Sequence, residues 1–154
     1  MKQMLLTGQG RARCRRMALT AWLFLGCVSP SSAQTEACPT ELAMKAEGEA
    51  STLETWQSVF VSYKKYRQCD DGAIAEGYSS SIATLLADYW EDIGQLTRLS
   101  NQNTRFNKFV LRHVDETMSF DQATTIAKNI AQRCPSGATK LCAEIQSKFA
   151  EAGF

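Results

Sequence analysis

A run of apolar residues spaced three or four positions apart constrains this chain most. Such spacing places side chains on one face of an α-helix, because the helix repeats every 3.6 residues. The sequence therefore predicts one long amphipathic helix of roughly seven turns. Asp70, Asp71 and Gly72 would begin it, and Gly77 and Gly94 would be its weak points, since glycine disfavours a helix interior. The apolar run consists of Ile74, Tyr78, Ile82, Leu85, Tyr89, Ile93 and Leu96.

The same periodicity recurs in shorter segments on both sides of the long helix. Capping signals at Ser51 and Ser119 open two of these segments, and further helices are predicted over residues 106–114 and 141–149. Phe120, which follows the second cap, is expected in the core. No stretch alternates apolar and polar residues over the length of a strand. The predicted fold is therefore all-α, a compact bundle of about five helices.

The first 33 residues have the three-part layout of a secretory signal peptide. The apolar run over residues 17–28 is shorter than the ~20 residues that a transmembrane helix needs, so an uncleaved anchor is the less favoured alternative. Small residues follow, and we expect cleavage after Ala33, which leaves residues 34–154 as one helical domain. Basic residues precede the apolar run, namely Lys2, Arg11, Arg13, Arg15 and Arg16.

Two features of the leader leave details of export open. Cys27 follows Leu25 and Gly26 in a loose likeness of a lipoprotein processing box, but Phe24 stands where a leucine or valine is usual. Lipid anchoring at Cys27 is therefore less favoured than release into the periplasm. Arg15 and the arginine after it resemble part of a twin-arginine signal, so the general and twin-arginine routes both remain open.

Removal of the leader changes the charge of the chain. It leaves 12 basic and 16 acidic side chains, a formal charge of about −4. A basic footprint for nucleic acid is absent, and so is a polybasic patch for a membrane surface. We therefore expect no nucleic-acid partner and no stable membrane insertion, whereas a basic protein would suit this charge.

The mature chain retains Cys38, Cys69, Cys134 and Cys142, an even number in a chain bound for an oxidising compartment. Four cysteines allow three pairings. The favoured pairing joins Cys134 to Cys142 across a turn at Pro135, and Cys38 to Cys69, which requires a break between them because one unbroken helix would hold its ends about 45 Å apart. A zinc site is disfavoured because no C-x-x-C spacing is present.

Candidate catalytic groups have simpler structural explanations. His113, the only histidine, falls on the apolar face of its helix and is expected to be packed and hydrogen-bonded in the core. Asp115, two positions away, points to another side of the helix and cannot orient the imidazole directly. Glu76 and the serines at 79–81 have no supporting motif for hydrolysis, and the acids at 70–71 suit a helix cap better than a calcium loop. We predict no catalytic, cofactor or metal site.

An acidic group on the long helix is the candidate partner-binding site. Asp88, Glu91 and Asp92 lie on adjacent turns, on the side away from the apolar stripe, and Trp90 lies among them. A solvated helix face is the ordinary explanation for such a group. Next to a tryptophan, the same acids are also suited to docking a basic protein.

The layout of the mature chain also resembles that of a known family. Tyrosines, a cysteine and an Asp-Gly pair within residues 60–77, then a long amphipathic helix and two C-terminal cysteines, are similar to the small periplasmic immunity proteins that protect bacteria from type VI secretion cell-wall amidases. The resemblance implies an all-helical inhibitor, often dimeric, that blocks a peptidoglycan amidase by inserting a surface segment into its cleft. The residues that carry it are Tyr63, Tyr66, Cys69, Asp71, Gly72, Cys134 and Cys142.

The functional prediction is therefore a periplasmic protein-binding module without catalysis, which inhibits a protein partner by steric occlusion. A peptidoglycan amidase is the partner that the resemblance implies, and self-association as a homodimer is compatible with it. The alternative from another class is a structural or adaptor component of a bacterial envelope assembly.

Overall fold

The computed structural model describes residues 37–154. The predicted signal peptide, its cleavage after Ala33 and the alternative anchor at Cys27 lie outside these residues. The described part is all-α, with no strand, which confirms the predicted fold class. None of its helices is long and apolar enough to cross a membrane. Seven α-helices are present: α1 Thr40–Ala50, α2 Trp56–Tyr66, α3 Gly72–Asp88, α4 Ile93–Gln102, α5 Thr104–Arg112, α6 Phe120–Arg133 and α7 Thr139–Ala152.

The helix count differs from the predicted five for two reasons. The predicted long helix divides at Tyr89, whose φ of −121° and ψ of 41° leave the helical region, and one 3₁₀ turn, Trp90–Asp92, separates α3 from α4. Residues before the predicted first helix also form a helix of their own, α1. Neither Pro nor Gly stands at the division, so the sequence carries no breaker there.

Side-chain caps stand at the start of four of the seven helices, α2, α3, α5 and α6. The predicted capping box at Ser119 is present, with the Gln122 backbone N–H donating to Ser119 Oγ over 3.2 Å. The cap of α2 is instead Thr55, four residues after the predicted Ser51, and it exchanges hydrogen bonds with Ser58. Asp71 caps α3 as predicted, accepting from the Gly72 backbone N–H over 2.8 Å.

Small residues bring α1 and α3 into close contact. Ala46 and Ala50 of α1 are fully buried. A Cβ atom at Gly77 of α3 would lie 2.9 Å from the Ala50 Cβ and 3.1 Å from the Ser51 backbone nitrogen, closer than side chains pack. Gly77 was predicted as a weak point of its helix, but its lack of a side chain is what allows the two helices to cross here.

Aromatic rings fill the core between α2, α3 and α5. Tyr63 lies 4.8 Å from Phe109, ring centre to ring centre, and Phe109 lies 4.9 Å from Tyr78 in an edge-to-face arrangement. Phe60 and Phe106 extend the cluster at 4.9 Å. Such pairs add to the stability gained from burial alone.

Phe120 does not join this core, and that prediction is wrong. Its side chain is 80% exposed at the first position of α6. The capping box fixes the direction in which the chain enters α6, and Ala123 and Ile126 occupy the buried face instead.

Two disulfides join the predicted partners. Cys38 bonds to Cys69 with a Cα separation of 4.9 Å, and Cys134 bonds to Cys142 with a separation of 6.4 Å. Both distances lie within the range that disulfide geometry allows. The first bond ties the start of α1 to the 3₁₀ turn after α2, and the second closes the connection between α6 and α7.

Candidate functional site

The predicted acidic residues lie where α3 gives way to the 3₁₀ turn. Asp88 ends α3, and Glu91 and Asp92 belong to the turn itself. All three are exposed. None forms a salt bridge with a cationic side chain anywhere in residues 37–154. The predicted cluster of acids is therefore present on the surface and carries uncompensated negative charge.

Trp90 is not part of that surface, and its assignment to a docking site is corrected by its burial. Its side chain is 2% exposed, and its indole N–H donates to the Arg133 backbone carbonyl over 3.0 Å. A partner cannot touch a side chain in that position without opening the fold. Trp90 instead fixes the 3₁₀ turn to the end of α6.

Tyr89 is an exposed aromatic residue at this site that the sequence pattern does not reveal. It was assigned to the apolar stripe, but its ring is 45% exposed. The cause is the end of α3, because the non-helical backbone at Tyr89 turns its side chain out of the helical register. No signal in the sequence marks this position, since its spacing from Leu85 fits an unbroken helix.

A cavity of about 350 Å³ lies beside Tyr89, between α3 and the loop that joins α1 to α2. Leu53 and Leu85 form an apolar part of the cavity wall. Glu54 also lines the cavity and adds an exposed carboxylate. We call the exposed ring, this cavity, Glu54 and the exposed carboxylates next to Tyr89 in the chain the Tyr89 surface. Its members are Glu54, Asp88, Tyr89, Glu91 and Asp92.

Ser81 holds the loop that forms one side of this cavity. Its hydroxyl donates to the Ala50 backbone carbonyl over 2.7 Å and accepts from the Leu53 backbone N–H over 3.2 Å. Ser81 is 4% exposed, so these bonds are shielded from water. The backbone of the loop next to Glu54 is therefore fixed relative to α3 before any partner arrives.

A second polar group, which is buried, surrounds His113. The prediction that this histidine packs in the core is confirmed, since it is 2% exposed. Its Nδ1 lies 3.0 Å from Ser79 Oγ and its Nε2 lies 3.3 Å from Asp70 Oδ2. Asp70 also pairs with Arg112. The sequence indicated Asp70 only as part of a helix cap, and its long-range contact with His113 carries no local signal.

Asp115 reaches His113 only through Ser79, as its position two residues along the chain requires. The Ser79 hydroxyl donates to Asp115 Oδ2 over 2.7 Å, and Asp115 also accepts from the Thr117 backbone N–H over 2.9 Å. Burial acts to raise the pKa of Asp115, but the hydrogen bonds from Thr117 and Ser79 outweigh it and hold the pKa below its ordinary value. Asp115 is thus held in its ionised form.

Burial and, to a smaller extent, the neighbouring Arg112 guanidinium together lower the pKa of His113 from 6.5 to about 4, although the Asp115 carboxylate acts to raise it. The imidazole is therefore neutral at pH 7. The Ser79 hydroxyl directs its proton to Asp115 and is 2% exposed within α3, so it is not arranged as a nucleophile activated by His113. These buried hydrogen bonds instead join Ser79 of α3 to the residues that follow α5, and so their role is structural.

Comparisons with protein-family models, with curated proteins and with solved structures give no match for this chain. The functional assignment of the candidate site therefore depends on its geometry alone. Within residues 37–154, no group of three or more histidine, cysteine, aspartate or glutamate side chains is arranged to hold a metal ion.

Proposed function

We propose that this chain is an exported inhibitor that binds a basic protein partner through the Tyr89 surface. One observation carries the proposal: an exposed aromatic ring stands beside a preformed cavity, among carboxylates that no cationic side chain of the described residues compensates. Tyrosine is enriched among residues that dominate binding energy at interfaces. Unpaired acids around it favour a partner of opposite charge.

The mechanism that this surface suggests is occlusion by a rigid body. A lysine or arginine of the partner enters the cavity between Glu54 and Tyr89, where the tyrosine ring offers its face to the cation. Ser81 holds the loop side of the cavity, and Trp90 anchors the 3₁₀ turn that follows Tyr89, so little conformational freedom is lost on binding. The helical body then covers the part of the partner next to that cation.

Two disulfides support the proposed compartment. Such bonds form and persist in oxidising environments, of which the bacterial periplasm is one. We assign the inhibitor to the periplasm, and the partner to the peptidoglycan amidases that the immunity-type layout implies. The described region would then protect the cell wall by keeping substrate from the amidase cleft.

The proposal is tested by retrieving the partner and then measuring inhibition. The oxidised protein, carrying an affinity tag, is used to capture periplasmic proteins, and the enzyme retrieved is purified and assayed for peptidoglycan hydrolysis. Tyr89→Ala should weaken binding about 30-fold, as expected for loss of a dominant interface residue. Phe120→Ala is the matched control, because Phe120 is also an exposed aromatic but lies outside the Tyr89 surface.

The results separate the two classes of function. Capture of one soluble enzyme whose hydrolysis is blocked supports the inhibitor. Capture of envelope components without any inhibition contradicts it in favour of an adaptor. Equal loss of affinity in the Tyr89 and Phe120 variants contradicts the assignment of the Tyr89 surface.

A further inference from the structure

A second cavity, of about 380 Å³, lies between α4, α5 and the start of α7. This volume falls in the range of small-molecule sites and exceeds many times the ~30 Å³ that one water molecule occupies. No residue of the Tyr89 surface lines it. Its walls include Thr97, Ser100, Asn107, Gly137, Lys140 and Glu144.

Two lining residues hold buried oxygens that have no hydrogen-bonding partner within the described chain. They are Ser100 Oγ and Asn107 Oδ1. Ser100 is 7% exposed. Thr97, one turn earlier in α4, satisfies its own hydroxyl by donating to the Ile93 carbonyl over 2.8 Å. A buried polar group without a partner is costly, so a ligand that supplies the missing hydrogen bonds to these two oxygens gains affinity.

The orientation of the Asn107 amide identifies what the ligand must provide. Its Nδ2 donates to Glu144 Oε2 over 2.9 Å, and a carboxylate can only accept hydrogen bonds. The amide oxygen is therefore the atom left without a partner, and it requires a donor. Ser100 Oγ can donate or accept.

The charges at this cavity balance. Lys140 Nζ lies 3.8 Å from Glu144 Oε1, while the other carboxylate oxygen of Glu144 is engaged by Asn107. The pair leaves no net charge to select an anion or a cation. A hydroxyl-rich neutral molecule provides a donor for Asn107 and either partner for Ser100.

We propose that this cavity binds a small, uncharged polyhydroxyl compound of the sugar class, held by Ser100 and Asn107. Each of the two oxygens has almost no accessible surface of its own, so binding includes a rotation of the Ser100 side chain toward the ligand and a small movement of Asn107 that keeps its hydrogen bond to Glu144. The Cys134–Cys142 disulfide brackets the 3₁₀ turn Ser136–Ala138, which supplies the wall at Gly137. This wall is thereby held in place without the ligand.

The test is a titration of the oxidised, ¹⁵N-labelled protein with methyl α-D-glucopyranoside, followed by NMR. Saturable shifts are expected at the backbone amides of Ser100, Asn107 and Gly137. Ser100→Ala and Asn107→Leu should each weaken binding about tenfold, the effect of losing one hydrogen bond. Ser80→Ala, an exposed position on α3, is the control and should leave the affinity unchanged.

Acetate and ethylammonium serve as charged probes in parallel titrations. Saturable binding of either probe at this cavity, in place of the sugar, would overturn the neutral class of ligand. Absence of saturable shifts with the sugar would mean that the cavity holds water alone and would overturn the site. Because Ser100→Ala removes one small polar atom, it tests the proposal even where Asn107→Leu fails to fold. Thermal unfolding verifies the fold of each variant.

Discussion

Ser81 of α3 and the Ala50 carbonyl at the end of α1 are joined by a buried hydrogen bond of 2.7 Å. The same serine accepts from the Leu53 backbone N–H. One side chain therefore determines where the connection between α1 and α2 lies on α3. Since that connection forms one side of the cavity beside Tyr89, a core hydrogen bond controls the shape of the proposed docking surface.

Ser81→Ala is expected to destabilise the fold by about 1–3 kcal/mol, because it leaves a buried carbonyl and a backbone N–H without their partner. Denaturant unfolding measures this change. Hydrogen exchange at the Leu53 amide should accelerate, and affinity for the partner should fall, because the loop is no longer fixed. Ser80→Ala, at an exposed neighbouring position, should change stability by less than about 0.5 kcal/mol. Equal effects of the two substitutions would refute the role given to Ser81.

The charge of the Tyr89 surface should govern how fast the partner associates. Glu91→Gln combined with Asp92→Asn is expected to slow association about tenfold at low salt, while the dissociation rate changes less. Stopped-flow or surface-based kinetics with the purified partner measure both rates. Raising the salt to about 0.5 M should shrink the difference, since screening shortens the range of the field.

The matched control for that experiment is Glu47→Gln combined with Glu116→Gln. It removes the same charge from two exposed positions outside the Tyr89 surface. An equal slowing in both double variants would show that net charge acts, and not the placement of the acids around Tyr89.

Acid should destabilise the fold through His113. The unfolded chain binds a proton on this histidine below about pH 6.5, whereas the folded chain does so only below about 4. The neutral imidazole therefore contributes stability that is fully present above pH 6.5 and is lost as the pH falls toward 4. The total loss is on the order of 3 kcal/mol.

Unfolding free energies measured by denaturant between pH 7.5 and 4.5 test this prediction. Asp115 and Glu49 also have lowered pKa values in the fold, but their contributions decline at more acidic pH than the upper part of this window. His113→Gln should flatten the curve between pH 6.5 and 5. An unchanged slope in that variant would exclude His113 as the source.

The sequence predicted the features that local spacing controls. Apolar periodicity predicted helices throughout, the cysteine positions predicted both disulfides, and the place of His113 on an apolar face predicted its burial. The helices and the burial of His113 depend on residues close together in the chain, and the disulfide pairing was favoured, among three that the sequence allows, by a turn at Pro135 and by the reach that disulfide geometry permits.

Features that depend on contacts between distant segments were missed. The division of the long helix at Tyr89 stands next to a contact of this kind, the hydrogen bond from Trp90 to the Arg133 carbonyl, 43 residues away along the chain. The contact between Asp70 and His113 spans the same separation. The role of Gly77 could not be predicted either. It depends on the close approach of Ala50, and no pattern within α3 indicates that approach.

The two disulfides should contribute unequally to stability. Cys38–Cys69 spans a sequence separation of 31 residues and Cys134–Cys142 one of 8. A larger loop restricts the unfolded chain more, so replacing the first pair by serines should cost about 4 kcal/mol and replacing the second about 2.5 kcal/mol. Denaturant unfolding of the two double variants gives the comparison. The Cys134–Cys142 variant should also weaken the proposed sugar site, since it releases the turn that carries Gly137, whereas the Cys38–Cys69 variant should leave that affinity intact wherever the protein is folded. Equal stability losses would show that strain in the folded state or residual structure in the unfolded chain, and not loop size, sets the value of these bonds.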